Sequence, residues 1–143
     1  MREKTTIRII SILLIILFVY ASVSKLLDYQ RFVVQLGKSP LIGTLSPFIA
    51  VVIPTVEIAI AISLLYQRTQ LLGLFGSLFL MVLFTTYLVV MLNFSPYIPC
   101  SCGGILQGMS WKTHIVFNLC FLLLSAIAVL LKSADKPIKI TMT

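Results

Sequence analysis

Two cysteines one residue apart, in Pro99-Cys100-Ser101-Cys102-Gly103-Gly104, are the residues of this chain best suited to covalent chemistry. Where the backbone turns, the sulfurs of residues i and i+2 reach each other, and the small ring they close is usually strained. Strain makes a disulfide more oxidising, which suits exchange better than permanent stapling. Pro99 fixes the approach to the pair, and Gly103-Gly104 leaves a flexible exit. Three readings stand side by side here: a redox-active dithiol, a thiolate metal site, and inert or structural cysteines. A metal would need more soft ligands than this stretch offers, so no metal is assigned. Cys120, the remaining cysteine, lies in an apolar run where cysteine usually packs as a small hydrophobe; it is kept as a supporting candidate.

Four other residues belong with the pair by type and position. Glu57 stands inside an apolar run, where a carboxylate is expensive unless paired, protonated or hydrated, and Lys25 is its most obvious partner. A structural ion pair or neutral acid and a proton-handling role are both open for Glu57. His114 and Asn118 are four apart and so share a helix face, with Cys120 off that face. His114 reads as a satisfied structural residue, as a base or cation near a thiol, or as a metal ligand. At the start of its helix, a cationic imidazole would favour the thiolate of a nearby cysteine.

The elements that must position these residues follow from composition. Of 143 residues, 59% are hydrophobic and 10% charged, against about 25% charged in an ordinary soluble domain. Apolar blocks at about 7–24, 47–66, 71–92 and 113–131 each approach the roughly 20 residues that carry a helix across a bilayer core. The fold expected is all-α, a four-transmembrane-helix bundle forming a single integral membrane domain over 1–143. No separate soluble domain fits, which excludes nucleotide-fold enzymes, extramembrane receptors and nucleic-acid binders. In the 25–46 loop, Tyr29, Phe32, Val33 and Leu36 recur at helical spacing with Gln30, Arg31 and Gln35 opposite. This predicts a short amphipathic helix in the membrane interface, capped by Asp28 and ended by a left-handed Gly37 and Ser39-Pro40. Ser46-Pro47 opens the second span, Pro54 interrupts its hydrogen bonding, and the 66–70 turn forces an antiparallel hairpin. Gly73 and Gly76 allow close helix approach; Ser110 is a plausible N-cap for the fourth span, with Trp111 and Lys112 at anchoring depth.

The net charge of +7 has a membrane explanation. Arg2, Lys4, Arg8, Arg68, Lys132, Lys136 and Lys139 fall on one side; Lys25, Arg31, Lys38 and Lys112 fall on the other. The positive-inside rule then makes both termini cytoplasmic and both long loops outward, the Cys-x-Cys loop included. A cleavable signal peptide is the competing reading of the start, but the apolar run is long for one. With alternating spans, the polar residues collect at the outward end, where a site is expected: Tyr20, Ser22, Ser24, Lys25, Thr55, Glu57, Thr85, Thr86, Tyr87, His114, Asn118 and Cys120.

Ser24-Lys25 with downstream Phe32, Pro54-x-x-Glu57, and Pro99-Cys100-x-Cys102-Gly103-Gly104 followed by Ser110-Trp111 and Asn118 resemble the MauE branch of the DoxX-like membrane proteins. The resemblance covers nearly the whole chain. It implies a redox-associated inner-membrane protein, MauE being linked to disulfide formation in a periplasmic dehydrogenase subunit during maturation. Cys100 and Cys102 match the loop cysteines; Lys25, Glu57 and Asn118 match motif positions of unassigned role. Gly104, where an aromatic residue is typical, and His114, where no fixed histidine is expected, depart from the pattern and leave the client's identity open.

The expected function is therefore thiol-disulfide exchange at Cys100 and Cys102 with an extracytoplasmic thiol or disulfide protein client, leaning towards an oxidoreductase-like activity. Lys25, Glu57, His114, Asn118 and Cys120 would form a supporting proton or quinone site. A membrane quinone is the candidate electron acceptor, lipid the surrounding partner, and nucleic acid no partner. Two alternatives come from other classes: a non-catalytic assembly factor that holds a client, and a small carrier using Glu57. Four spans without an internal repeat weigh against the carrier.

Overall fold

The computed structural model describes residues 2–38, 43–94 and 110–135. The helices in chain order are α1 (Arg2–Leu27), α2 (Tyr29–Gly37), α3 (Ser46–Leu65), α4 (Gln70–Phe94) and α5 (Trp111–Asp135), with one 3₁₀ turn, Gly43–Leu45, leading into α3. No strand occurs among the described residues. Four segments are long and apolar enough to cross a membrane: Arg2–Leu27, Gly43–Leu65, Gln70–Asn93 and Lys112–Ala134. Only 28–39% of the most apolar stretch of each is buried within the bundle. So much exposed apolar surface is a lipid-facing exterior, not the surface of a water-soluble protein.

Residue size and polarity mark the face of α3 that turns inward. In α3 the buried residues are Ser46, Ala50, Pro54, Glu57, Ala61 and Leu64, three or four apart, while Phe48, Ile58, Ile62 and Leu65 are exposed. Lipid solvates a leucine as well as a protein core does, so the interior goes to small residues that let backbones approach and to polar groups that need partners. α1 follows the same period with Ile7, Ser11, Leu14, Phe18, Ser22 and Lys25. The main apolar core joins Leu14 and Phe18 to Ala61, Leu64, Leu74, Met81 and Ala128.

α3 and α4 form the expected hairpin. The Thr69 hydroxyl donates to the Ser63 carbonyl at 2.9 Å, satisfying a carbonyl at the end of α3. A Cβ on Gly73 would lie 3.1 Å from the Leu64 backbone nitrogen, and one on Gly76 would lie 3.2 Å from Ile60, so both glycines serve close approach. The start of α1, the 66–69 turn and the end of α5 therefore lie at one end of the bundle, here the terminal end. The end of α1, α2, the start of α3, the end of α4 and the start of α5 lie at the other, here the loop end.

Three local expectations are corrected. Lys25 belongs to α1 and not to a loop, because nothing breaks the helix before Asp28 and the lysine has a partner within the bundle. Asp28 occupies the N-cap position of α2 without a side-chain cap; its carboxylate pairs instead with Arg31 Nε at 3.3 Å. Gly37 stays helical, and the chain leaves α2 through Lys38 in the right-handed region, so the left-handed exit is not used. α2 itself is present: Phe32 and Leu36 are buried with Ala50, and Tyr29, Val33, Ile49 and Ile53 pack around them. It is thus folded onto α3. The Ser39-Pro40 stop lies outside the described residues.

Candidate functional site: a buried ion pair and unpartnered polar groups at the loop end

α1 and α3 set the site through two polar contacts. The Ser22 hydroxyl donates to the Pro54 carbonyl at 3.1 Å, and Lys25 Nζ donates to Glu57 Oε1 at 2.5 Å. The helices are antiparallel, so Lys25 lies one turn towards the loop end of Ser22 while Glu57 lies one turn towards the terminal end of Pro54. The two charged residues are thus offset along the axis by about two turns, roughly 9 Å. Helical side chains lean towards their own N-terminus, which points Lys25 and Glu57 at each other across that offset. The pair is withdrawn from the surface, Lys25 being 5% exposed and Glu57 fully buried.

Two rings complete the setting of the ammonium. Lys25 Nζ lies 5.0 Å from the ring centroid of Phe84 on α4 and 5.8 Å from that of Phe32 on α2. Cation–π attraction offsets part of the cost of desolvating the lysine. The pair therefore sits where α1, α2, α3 and α4 meet, and it uses only one oxygen of the carboxylate: Glu57 Oε2 is buried without a hydrogen-bond partner.

α5 contributes a second buried group. Ser110 begins the helix: its hydroxyl accepts from the Thr113 N–H at 3.4 Å, and its carbonyl accepts from the His114 N–H at 2.9 Å. This is the N-cap expected from the sequence. One turn in, His114 is 2% exposed, and neither Nδ1 nor Nε2 has a hydrogen-bond partner. Asn118, a turn further on the same face, is buried as well. On α4 the Tyr87 hydroxyl, one turn beyond Phe84, is also buried and unpartnered. Unsatisfied buried polar atoms are uncommon and individually costly, and Glu57, Tyr87 and His114 together supply four.

The sequence-derived candidates thus divide. Lys25 and Glu57 are joined directly. His114 and Asn118 are turned inward on α5, but no hydrogen bond links the imidazole to the ion pair. Cys120 is a free thiol exposed on the bundle surface, away from the His114–Asn118 face. Cys100 and Cys102 lie outside the described residues, in the loop between the end of α4 and Ser110. Among the other polar residues grouped with the site, Ser22 and Thr85 are buried, whereas Tyr20, Thr55 and Thr86 are exposed. Phe84 was not legible as a site residue, since one phenylalanine in an apolar run carries no signal; its spacing of three from Tyr87 is the only hint. Among the described residues, no group of three or more His, Cys, Asp or Glu could hold a metal ion.

Comparison with curated proteins and with solved structures gives no match. The family model for methylamine utilisation protein MauE matches residues 3–131, which take in all four spans, the ion pair, the Cys100–Cys102 loop and the His114–Asn118 face, and the chain is therefore a multi-pass membrane protein belonging to the MauE family.

Proposed function

We propose that this protein exchanges disulfides with an extracytoplasmic client at the inner membrane, in support of that client's maturation. The family's name ties it to methylamine utilisation, and a dehydrogenase subunit of that system is one candidate client. The observation that carries the reading is the position of Cys100-Ser101-Cys102: its loop runs directly into the helix whose first turns bury an unpartnered His114. In the oxidising direction, a client thiolate attacks one sulfur of the Cys100–Cys102 disulfide, forming a mixed disulfide and releasing the other cysteine as thiolate. The client's second thiolate then breaks the mixed disulfide. The client ends with a new disulfide, having lost two electrons and two protons; Cys100 and Cys102 end as the dithiol.

A membrane quinone is the acceptor class we assign: it takes up two electrons and two protons when reduced, and the Tyr87 hydroxyl and the ring N–H of His114 are the donors this chain offers its carbonyl oxygens, with Glu57 Oε2 an acceptor for a hydroxyl of the reduced form. The Lys25–Glu57 pair ties α1 to α3 beneath this site. In this reading both termini are cytoplasmic and the cysteine loop faces outward, in accord with the greater number of cations at the terminal end.

Thiol trapping in intact cells tests the proposal. A membrane-impermeant alkylating reagent is applied before and after reduction to the wild type and to Cys100→Ser and Cys102→Ser. The expected result is an outward, oxidised pair, with one single variant accumulating a mixed disulfide to another protein. Free thiols in the wild type with no adduct in either variant would overturn exchange and leave the assembly-factor role.

A further inference from the structure

The terminal end carries a feature that the exchange reading does not use. A cavity of about 390 Å³ opens between the start of α1, the α3–α4 turn and the end of α5. Lys4, Arg8 and Lys132 line it from two helices, and Gln67 and Gln70 from the turn and the start of α4. No acidic side chain lines it among the described residues, and the ion pairs Lys25–Glu57 and Asp28–Arg31 both lie at the loop end. Gln70 Nε2 donates to Ser11 Oγ at 3.0 Å, which links α4 to α1 within the cavity lining. Deeper in, Ile15 and Leu64 supply an apolar wall.

We propose that this cavity binds a phosphate group, with an anionic phospholipid headgroup as its source. Three cations held around one concavity repel one another, and an anion among them relieves that repulsion. A phosphate oxygen accepts from ammonium, guanidinium and amide donors alike, and these are the donor types present. The position suits a lipid: cations and amides sit at the end of the spans, where headgroups lie, and the apolar wall continues towards the hydrocarbon, as glycerol and acyl chains require. The occupant would hold together α1, α4 and α5, which come from distant parts of the chain.

The test is native mass spectrometry of the full-length protein from mixed micelles containing phosphatidylglycerol or phosphatidylcholine, with inorganic phosphate as a third arm against chloride at equal ionic strength. The wild type should retain phosphatidylglycerol in preference to phosphatidylcholine. Each juxtamembrane cation is worth about fivefold in affinity, so Lys4→Gln/Arg8→Gln/Lys132→Gln should lose roughly a hundredfold. Arg2→Gln/Arg68→Gln removes charge from the same end without touching the lining and should retain the lipid. Circular dichroism of each variant confirms that helix content is unchanged, as expected where glutamine keeps most of an exposed or half-exposed stem. Displacement of the lipid by inorganic phosphate, but not chloride, would keep the phosphate site and make the free anion its source. Equal retention of both lipids by the wild type with no phosphate effect, or an equal loss in the Arg2/Arg68 variant, would overturn it.

Discussion

The two ends of the bundle differ in how completely their buried polar groups are satisfied, although at the loop end too Ser22 and Thr85 donate to backbone carbonyls. Towards the terminal end, Ser77 donates to the Gly73 carbonyl at 2.8 Å and Ser125 to the Phe121 carbonyl at 2.9 Å, each within its own helix, while Ser11 accepts from Gln70. Each of these hydroxyls has a partner within the protein. At the loop end, Lys25 and Glu57 pair across helices, and Glu57 Oε2, the Tyr87 hydroxyl and both His114 nitrogens are left without partners. In the interior, the serines of the terminal end are closed by their own hydrogen bonds, its cations facing the cavity at the surface, whereas buried groups at the loop end are left to be completed. That contrast, more than the identity of any one residue, points to the loop end as the place where this protein acts.

Cutting the ion pair is the strongest way to probe the contrast. Lys25→Met leaves a buried carboxylate alone, and breaking such a pair from one side costs about 3–5 kcal/mol. Denaturant or thermal unfolding in bilayer discs should show that loss, and adding Glu57→Met should recover most of it. A single variant within about 1 kcal/mol of wild type would mean that water already reaches the carboxylate, and the loop end would not be a dry site. Second in size is Gly73→Ala, which tests packing at the terminal end. The new Cβ would sit 3.0 Å from Leu64 Cγ and 3.1 Å from its backbone nitrogen, which cannot rotate away. Overpacking of about 1–3 kcal/mol should outweigh the roughly 1 kcal/mol that alanine gains over glycine in a helix. Gly76→Ala meets only side-chain carbons of Ile60 and should be close to neutral.

How much of this was legible in the chain depended on the kind of signal. Runs of twenty apolar residues mark spans because lipid imposes a length, and all four spans were found that way. Glu57 and Lys25 stood out as a pair because charge in hydrocarbon is rare enough to demand a partner. The inward faces of α3 and α4 were not legible by hydropathy, since these helices are apolar all round; small residues mark the face of α3, whereas α4 buries Leu74, Leu80, Met81, Leu88 and Met91 alongside Ser77 and Thr85. The helix boundary at Lys25 was misplaced because hydropathy falls at a charge whether or not the helix ends there. Gly37 and Asp28 have the right types for caps, yet a nine-residue helix bound to α3 through Phe32 and Leu36 needs neither.

His114→Leu separates function from stability at the loop end. It removes two buried nitrogens that lack partners, each a cost of about 1–3 kcal/mol to the fold, so the variant should be more stable by about 1–2 kcal/mol. The same change should slow oxidation of the client, read as the fraction of client thiols trapped over time. Greater stability with undiminished oxidation would detach His114 from the site and leave the cysteine loop to act alone.

The smallest effect belongs to Ser77→Ala at the terminal end. Ser77 is fully buried, so by exposure alone it resembles His114, and a simple rule that buried polar groups matter would rank the two together. The hydrogen bonds say otherwise. The Ser77 hydroxyl shares a carbonyl of its own helix, and alanine removes the donor while leaving that carbonyl in the backbone ladder. Helix propensity moves in favour of the variant, so the net change should stay within about 0.5 kcal/mol. A loss above about 1 kcal/mol would show that Ser77 does more than satisfy itself, and the division of the bundle into a closed end and an open one would fail at its quietest position.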